Sequence, residues 1–171
     1  NKGDRVIIEE PGYLGAIQAF CMFEPEFMPV TLEDDGLNLE KLEEALKQER
    51  VKFAYVVPNF QNPTGLTYTK ERREAVCALF DKYDTVLVED DPYGELRFKG
   101  EKLPYIGAGK LAHSVLLGTF SKTVTPGMRL GFVITQDREL MHHLVTAKQS
   151  SDLHTNIFSQ YMIADYLAHN E

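Results

Sequence analysis

The sequence has little cysteine, and the two cysteines it has are far apart. Cys21 and Cys77 lie in no Cys-x-x-Cys or Cys/His spacing, so the chain of 171 residues has neither a zinc-binding pattern nor a disulfide framework. We therefore expect no metal site, and we expect the reducing cytoplasm as the compartment. Five histidines are present, but His142 and His143 are adjacent on a predicted helix and diverge, which disfavours a shared metal.

The chain is also short of positive charge and of long apolar runs. It carries 18 basic and 26 acidic residues, a formal net charge of -8 that repels nucleic-acid phosphates and anionic membranes. No apolar run approaches the length of a membrane span. The start, NKGDRVIIEE, lacks a signal-peptide core and an initiator methionine, so we expect a segment of a longer chain.

What is present is an ordinary globular composition, with 43% hydrophobic and 26% charged residues. Short apolar runs alternate with helical patterns, which predicts an α/β domain with a mostly parallel sheet. Helices are expected behind the N-cap residues Asn38 and Thr69, and two more follow the last strand. The predicted strands are residues 5–8, 53–57, 85–89, 114–119 and 130–134.

Three polar side chains follow three of these predicted strands. Asn62 comes after the strand that ends near Pro58, Asp90 follows TVLVE, and Lys122 follows SVLLGTF. The carboxyl ends of parallel strands meet at one edge of a sheet, which is where open α/β sheets bind ligands. Any one of these residues could simply be a polar turn residue, but the three together favour a site.

The stretch GTFSKTVTPGMRLGFVI suggests what that site binds. A planar, phosphorylated aldehyde cofactor needs a lysine for a Schiff base, a carboxylate for its ring nitrogen, and hydroxyls with a cation for its phosphate. Lys122, Asp90, Thr119, Ser121 and Arg129 supply these groups, and the Pro-Gly turn would return the arginine to the lysine. A charge pair about 4 Å apart contributes roughly 4 kcal/mol at an effective dielectric near 20, enough to keep the ring nitrogen protonated.

These residues occur in motifs that resemble a known family. EEPGYLGAIQAF, VPNFQNPTGLTYTKERR, VLVEDDPYGELRF and GTFSKTVTPGMRLGFV follow one another as they do in the fold-type I, pyridoxal-phosphate-dependent aminotransferases of class I/II. The resemblance is strongest to the 2-aminoadipate and kynurenine aminotransferase branch. It covers essentially the whole chain, and it implies a three-layer α/β/α fold with a mostly parallel sheet.

The resemblance also implies roles for single residues. Lys122 would form the Schiff base and then move the substrate's α-proton, and Asp90 would pair with the ring nitrogen of pyridoxal 5'-phosphate. Tyr93 and Asn62 would hydrogen-bond the ring's phenolic oxygen, and Tyr13 would stack on the ring face. The phosphate would be bound by Thr119, Ser121 and Arg129.

Members of this family are more than twice as long as this chain. The resemblance therefore implies that residues 1–171 are one domain, the central part of a large cofactor-binding domain, without the small C-terminal domain. It implies amino-acid and 2-oxo-acid substrates and a homodimer for the full-length protein. An isolated segment of this kind is expected to bind cofactor weakly and to transaminate poorly or not at all.

Other functions remain open on the same residues. A carbon–sulfur β-lyase uses the same lysine, aspartate and tyrosine, because each serves any reaction through an α-carbanion. A regulator that senses pyridoxal phosphate below a DNA-binding domain is the alternative from another class. Metal binding or glycoside hydrolysis by Glu89, Asp90 and Asp91 is disfavoured, since no histidine or second acidic turn is near. Asp91 is expected to be a helix cap or a solvated acid.

Overall fold

The computed structural model describes residues 2–169 of the chain. These residues form seven strands and five α-helices, with two short 3₁₀ turns at Gly94–Leu96 and Pro126–Met128. The strands are β1 (Arg5–Glu10), β2 (Glu26–Glu33), β3 (Gly36–Leu37), β4 (Val51–Val56), β5 (Val86–Asp90), β6 (Ser114–Thr119) and β7 (Gly131–Ile134). The helices are α1 (Leu14–Cys21), α2 (Leu39–Leu46), α3 (Lys70–Tyr83), α4 (Arg138–Asp152) and α5 (Ile157–His169).

The strands form one sheet in the order β3-β2-β1-β4-β5-β6-β7. The five central strands are parallel, whereas β3 and β7 pair antiparallel at the two edges. The mostly parallel α/β sheet expected from the sequence is therefore confirmed. The strands β2 and β3 and the helix α1 were not among the predicted elements, and the structure adds them.

Helices cover both faces of this sheet because side chains alternate along each strand. On one face, Ala54 and Val56 of β4 and Leu87 of β5 pack against α2 and α3. On the other face, Tyr55 and the following Val57 pack against α1. This arrangement gives the three-layer α/β/α architecture, with the larger core on the α2 and α3 side.

The expected N-caps of two helices are confirmed. The Asn38 side chain accepts a hydrogen bond from the Lys41 N–H at 2.8 Å, and the Thr69 hydroxyl accepts one from the Arg72 N–H at 3.2 Å. Each bond satisfies one of the backbone donors left free at a helix start. The two caps fix where α2 and α3 begin and so where the loops before them end.

The last two helices are much more exposed than the others. None of the residues of α4 is buried, and α5 buries Ile163 but exposes several large apolar side chains. Within residues 2–169, no helix is both long and apolar enough to cross a membrane. The exposed side chains of α5 include Phe158, Tyr161, Met162 and Leu167.

Candidate active site

A cleft of about 360 Å³ lies where the carboxyl ends of β4, β5 and β6 meet. All eight site residues predicted from the sequence line it, together with Val57 and Pro92. The fold thus brings together segments that are up to 116 positions apart, from residue 13 to residue 129. The lining residues are Tyr13, Val57, Asn62, Asp90, Pro92, Tyr93, Thr119, Ser121, Lys122 and Arg129.

Asp90 is the last residue of β5 and is the acid inside the cleft. The hydroxyl of Tyr55, on the neighbouring strand β4, donates a hydrogen bond to Asp90 Oδ2. Burial raises the pKa of Asp90, the bond from Tyr55 lowers it, and the nearby charge of Asp91 raises it. Tyr55 therefore helps to keep Asp90 ionised, a role that the sequence analysis did not assign.

The residues after β5 form a tight turn that places Tyr93 in the cleft. The Asp91 carboxylate accepts a hydrogen bond from the Gly94 N–H at 2.8 Å and so caps the 3₁₀ turn. A side chain at position 94 would collide with that carboxylate, which explains the glycine. Asp91 was expected to be a helix cap or a solvated acid, and the bond from Gly94 corresponds to the first of these.

The hairpin between β6 and β7 carries the phosphate-binding candidates. Thr119 pairs with Gly131 across the two strands, and the Phe120 N–H donates to the Leu130 carbonyl at 3.0 Å. The Thr119 hydroxyl also accepts from the Ser121 N–H at 3.1 Å. These bonds close the base of the loop that joins β6 to β7. Lys122 lies near the start of this loop and Arg129 near its end.

The charges in the cleft are arranged with the acid inside and the cations toward solvent. Asp90 is partly buried, whereas the side chains of Lys122 and Arg129 are exposed. Within residues 2–169, neither cation forms an ion pair with a carboxylate, and Lys122 Nζ lies 5.9 Å from the centre of the Tyr93 ring. The cleft therefore suits a ligand with an anionic group and a planar ring.

A second polar cluster lies directly behind the cleft. Glu9, at the end of β1, is 2% exposed and accepts hydrogen bonds from Val57, Gln61 and Tyr68. Burial raises the pKa of Glu9 to about 7, although the three donors lower it. Neither Glu9 nor Gln61 was a site candidate in the sequence analysis.

An apolar cleft of about 600 Å³ adjoins the site on the far side of Tyr93. It is lined by Phe60, Tyr93, Leu96, Phe98 and Lys99. The Arg97 guanidinium lies 4.8 Å from the centre of the Phe60 ring, close to these residues. Tyr93 thus forms a wall between a polar cleft and an apolar one.

Fold and cleft together define a ligand-binding α/β protein with a lysine, a partly buried acid and an arginine at one sheet edge. The family model for aminotransferases of class I and II matches residues 1–170. The chain belongs to this family.

Individual relatives agree with this assignment. The aromatic-amino-acid aminotransferase 1 of Thermococcus litoralis is 43% identical over 98% of this chain. A crystal structure of LysN, the α-aminoadipate aminotransferase of Thermus thermophilus, complexed with N-(5'-phosphopyridoxyl)-L-leucine, superposes with a TM-score of 0.93 at 38% identity over 99% of the chain. This chain spans only 41% and 44% of those two proteins.

The chain is also similar to a protein that is described as a regulator and not as an enzyme. An Escherichia coli protein described as the uncharacterized HTH-type transcriptional regulator YdcR is 33% identical over 97% of this chain. The chain covers 36% of that protein. Similar segments therefore occur in proteins described as enzymes and in proteins described as regulators.

Proposed function

We propose that this chain is the cofactor-binding part of a pyridoxal-phosphate-dependent aminotransferase, which transfers an amino group between an amino acid and a 2-oxo acid. The observation that carries the proposal is that Lys122, Asp90 and Arg129 line one cleft. These three residues are far apart in sequence, and each supplies a group that this chemistry needs.

The residues of the cleft fit the cofactor. Lys122 Nζ is an exposed amine without a carboxylate partner among residues 2–169, so it is free to react with an aldehyde. Asp90 has one oxygen held by Tyr55, and its other oxygen accepts no hydrogen bond from the described residues. That second oxygen suits a protonated ring nitrogen. Thr119, Ser121 and Arg129 would hold the phosphate.

When bound, pyridoxal phosphate supplies an electron sink for the bond that breaks at the substrate's α-carbon. Asp90 keeps the ring nitrogen protonated, because a charge pair about 4 Å apart contributes roughly 4 kcal/mol. Lys122 Nζ would take the proton from the substrate's α-carbon and pass it to the C4′ carbon of the cofactor. Tyr93, Asn62 and Tyr13 line the same cleft. Tyr93 and Asn62 would orient the ring by hydrogen bonds to its phenolic oxygen, and Tyr13 would cover one ring face.

The whole protein is part of the same proposal. Since this chain spans about two-fifths of the relatives it matches, we infer that residues 1–171 are the central part of a larger cofactor-binding domain. We further propose a cytoplasmic homodimer that acts on amino-acid and 2-oxo-acid substrates. The isolated segment is expected to bind cofactor weakly and to have little or no activity.

The test is to identify the lysine that reacts with the cofactor. The full-length protein is mixed with pyridoxal phosphate, reduced with borohydride, digested and mapped. The label is expected on Lys122, and a Lys122→Ala variant should lose both the label and the visible absorbance of the bound cofactor. Lys99, which lines the adjoining apolar cleft, is the matched control, and Lys99→Ala should label normally. A label elsewhere would refute the proposal.

A second function has one observation in its favour, namely the similarity to the protein described as regulator YdcR. A transamination assay on the full-length protein separates the two functions. Transfer of the amino group to 2-oxoglutarate supports the enzyme. Cofactor binding without turnover, together with a DNA-binding segment before residue 1, supports the regulator. Release of pyruvate and ammonia from a cysteine-type substrate would instead indicate a β-lyase.

A further inference from the structure

Glu9 is a buried acid whose hydrogen-bond partners all come from one other segment. Its Oε1 accepts from the Val57 N–H at 3.0 Å and from the Tyr68 hydroxyl at 2.6 Å. Its Oε2 accepts from Gln61 Nε2 at 2.9 Å. Residues 57–68 connect β4 to α3 and carry Asn62, so the end of β1 is tied directly to the loop that carries a site residue.

Gln61 is 1% exposed and uses every polar group of its side chain. Its Nε2 donates to Glu9 and, at 2.8 Å, to the Pro11 carbonyl. Its Oε1 accepts from the Thr64 N–H at 3.0 Å and from the Thr64 hydroxyl at 2.7 Å. An amide offers two donors and an acceptor oxygen, so the side chain is fully satisfied in this one orientation.

Glu9 and Gln61 therefore connect the two segments that carry Tyr13 and Asn62 into the cleft. Pro11 is two positions before Tyr13, and Gln61 is directly before Asn62. Both Tyr13 and Asn62 line the cleft, while Glu9 and Gln61 lie behind it and do not. A shift of the 57–68 segment away from β1 would break bonds between buried groups, which is costly.

On the basis of the proposed function, we propose that Glu9 and Gln61 are positioning residues. They fix the loop that carries Asn62 against the segment that carries Tyr13, so that both side chains reach the same cofactor ring. Neither residue touches the cleft. Their effect is to hold the two segments at one separation before the cofactor arrives, which removes part of the ordering cost of binding.

Nearly isosteric variants separate this role from packing. In Glu9→Gln, an NH₂ group replaces one carboxylate oxygen and meets a donor whichever way it turns, either Gln61 Nε2 or the Val57 N–H. Gln61→Glu places two carboxyl groups together. Turning the side chain at position 61 relieves neither change. In Glu9→Gln, Thr64 and Pro11 require the present orientation of Gln61, and in Gln61→Glu the carboxylate presents an oxygen on both sides. In the double variant Glu9→Gln/Gln61→Glu, the donor and the acceptor are exchanged, and one bond between the two side chains is restored.

The experiment measures the dissociation constant of pyridoxal phosphate for the full-length protein at about pH 8, above the pKa of Glu9. Each single variant is expected to weaken binding by about tenfold or more, and the double variant to recover most of that loss. Hydrogen exchange of residues 10–14 and 57–68 in the cofactor-free protein gives a second readout. Both segments should exchange faster in the single variants and more slowly again in the double variant.

Ser114→Ala is the matched control. Ser114 is also buried and donates to the Gly107 carbonyl, but it begins β6 at the opposite end of the strand from the cleft. The Ser114→Ala variant should be less stable than the wild type but should bind the cofactor with the same affinity. Thr64 is exposed, and Thr64→Ala removes its hydroxyl bond to Gln61 together with the bond that the hydroxyl accepts from the Leu66 N–H. This milder change keeps the test available if a single variant does not fold.

The outcomes are distinct for the two proposals. If the wild-type protein does not bind pyridoxal phosphate, the proposed function fails and the positioning role fails with it. If the wild-type protein binds and both single variants bind equally well, the positioning role alone is wrong. The same holds if the double variant is as weak as the sum of the two single changes.

Discussion

The hydroxyl of Tyr55 donates a hydrogen bond to Oδ2 of Asp90 across the neighbouring parallel strands β4 and β5. Tyr55 is itself fixed, since its ring packs edge-on against Phe20 of α1 with the ring centres 5.7 Å apart. A buried aromatic ring thus holds the acid from one side. The other carboxylate oxygen is left for the cleft.

We expect Tyr55→Phe to weaken the binding of pyridoxal phosphate by about tenfold, the usual size of a lost hydrogen bond to a charged group. Without the hydroxyl, the pKa of Asp90 rises further, because burial already raises it. Affinity should therefore begin to fall at a higher pH than in the wild type as the solution is acidified. Absorbance titrations across a pH series measure this. Tyr83→Phe, which loses a hydroxyl bond to Glu43 on α2, should bind normally.

We expect Asp90→Asn to leave attachment to Lys122 possible but to slow removal of the substrate's α-proton by about a thousandfold. The reason is the loss of roughly 4 kcal/mol of charge interaction with the ring nitrogen. Exchange of the α-hydrogen for deuterium, followed by mass spectrometry, measures the step. Asp91→Asn can still cap the turn at Gly94 and should stay within a few-fold of wild type. Equal rates for both variants and the wild type would exclude this role for Asp90.

We expect Arg129→Ala to weaken binding of pyridoxal phosphate by about 10- to 100-fold while leaving binding of pyridoxal, which has no phosphate, nearly unchanged. The comparison isolates the phosphate contact from any general damage to the loop. Parallel fluorescence titrations with the two compounds measure it. Arg138→Ala, at the exposed start of α4, is the control and should change neither affinity. Equal losses for both compounds would show that Arg129 supports the loop rather than the phosphate.

We expect the stability of the cofactor-free protein to fall as the pH rises between about 4.5 and about 7, in part because of Glu9. Burial raises the pKa of Glu9 to about 7 in the folded state from 4.5. The folded state therefore keeps the proton that the unfolded state releases, and ionisation costs stability on the order of 3 kcal/mol by the top of the range.

Glu9→Gln should remove this part of the pH dependence. Urea unfolding of wild type and variant at several pH values measures it as a change in their difference. The exposed neighbour Glu10 is the control, since Glu10→Gln should leave the wild-type slope in place. Parallel curves for wild type and Glu9→Gln would contradict the assignment.

Local patterns were enough to predict much of the fold and several of the cleft residues, whereas Tyr13 and Tyr93 were expected only from the family resemblance. The five predicted strands are apolar runs bounded by polar residues, and the Asn38 and Thr69 caps precede strongly patterned helices. Polar residues at the carboxyl ends of parallel strands share one sheet edge, so topology was enough to place Asn62, Asp90 and Lys122 together. The roles of these residues toward a ligand stay predictions.

The elements that the sequence analysis missed lack such local signals. Strand β2 contains Pro29 and has only Val30 fully buried, because its one outer neighbour is the two-residue strand β3. Helix α1 has eight residues, an early glycine and no side-chain cap. Short, weakly patterned elements of this kind depend on tertiary contacts.

The supporting residues were missed for a different reason. Tyr55 and Asp90 are 35 positions apart, and Glu9 and Gln61 are 52 apart. Only the register between strands brings them together, and a single sequence does not specify that register. An acid at the end of an apolar strand, as in RVIIEE, is as typical of a solvated strand end as of a buried polar cluster.

The hairpin of β6 and β7 also limits how this chain can change in evolution. Because Thr119 and Gly131 are paired, the length of the loop between them decides where Arg129 emerges relative to Lys122. One residue gained or lost there would leave the strands paired but would rotate one cation away from the other. The loop of residues 97–104 contributes no side chain to the lining of the cleft. Insertions and deletions in related sequences should therefore occur in the loop of residues 97–104 and not within residues 120–130.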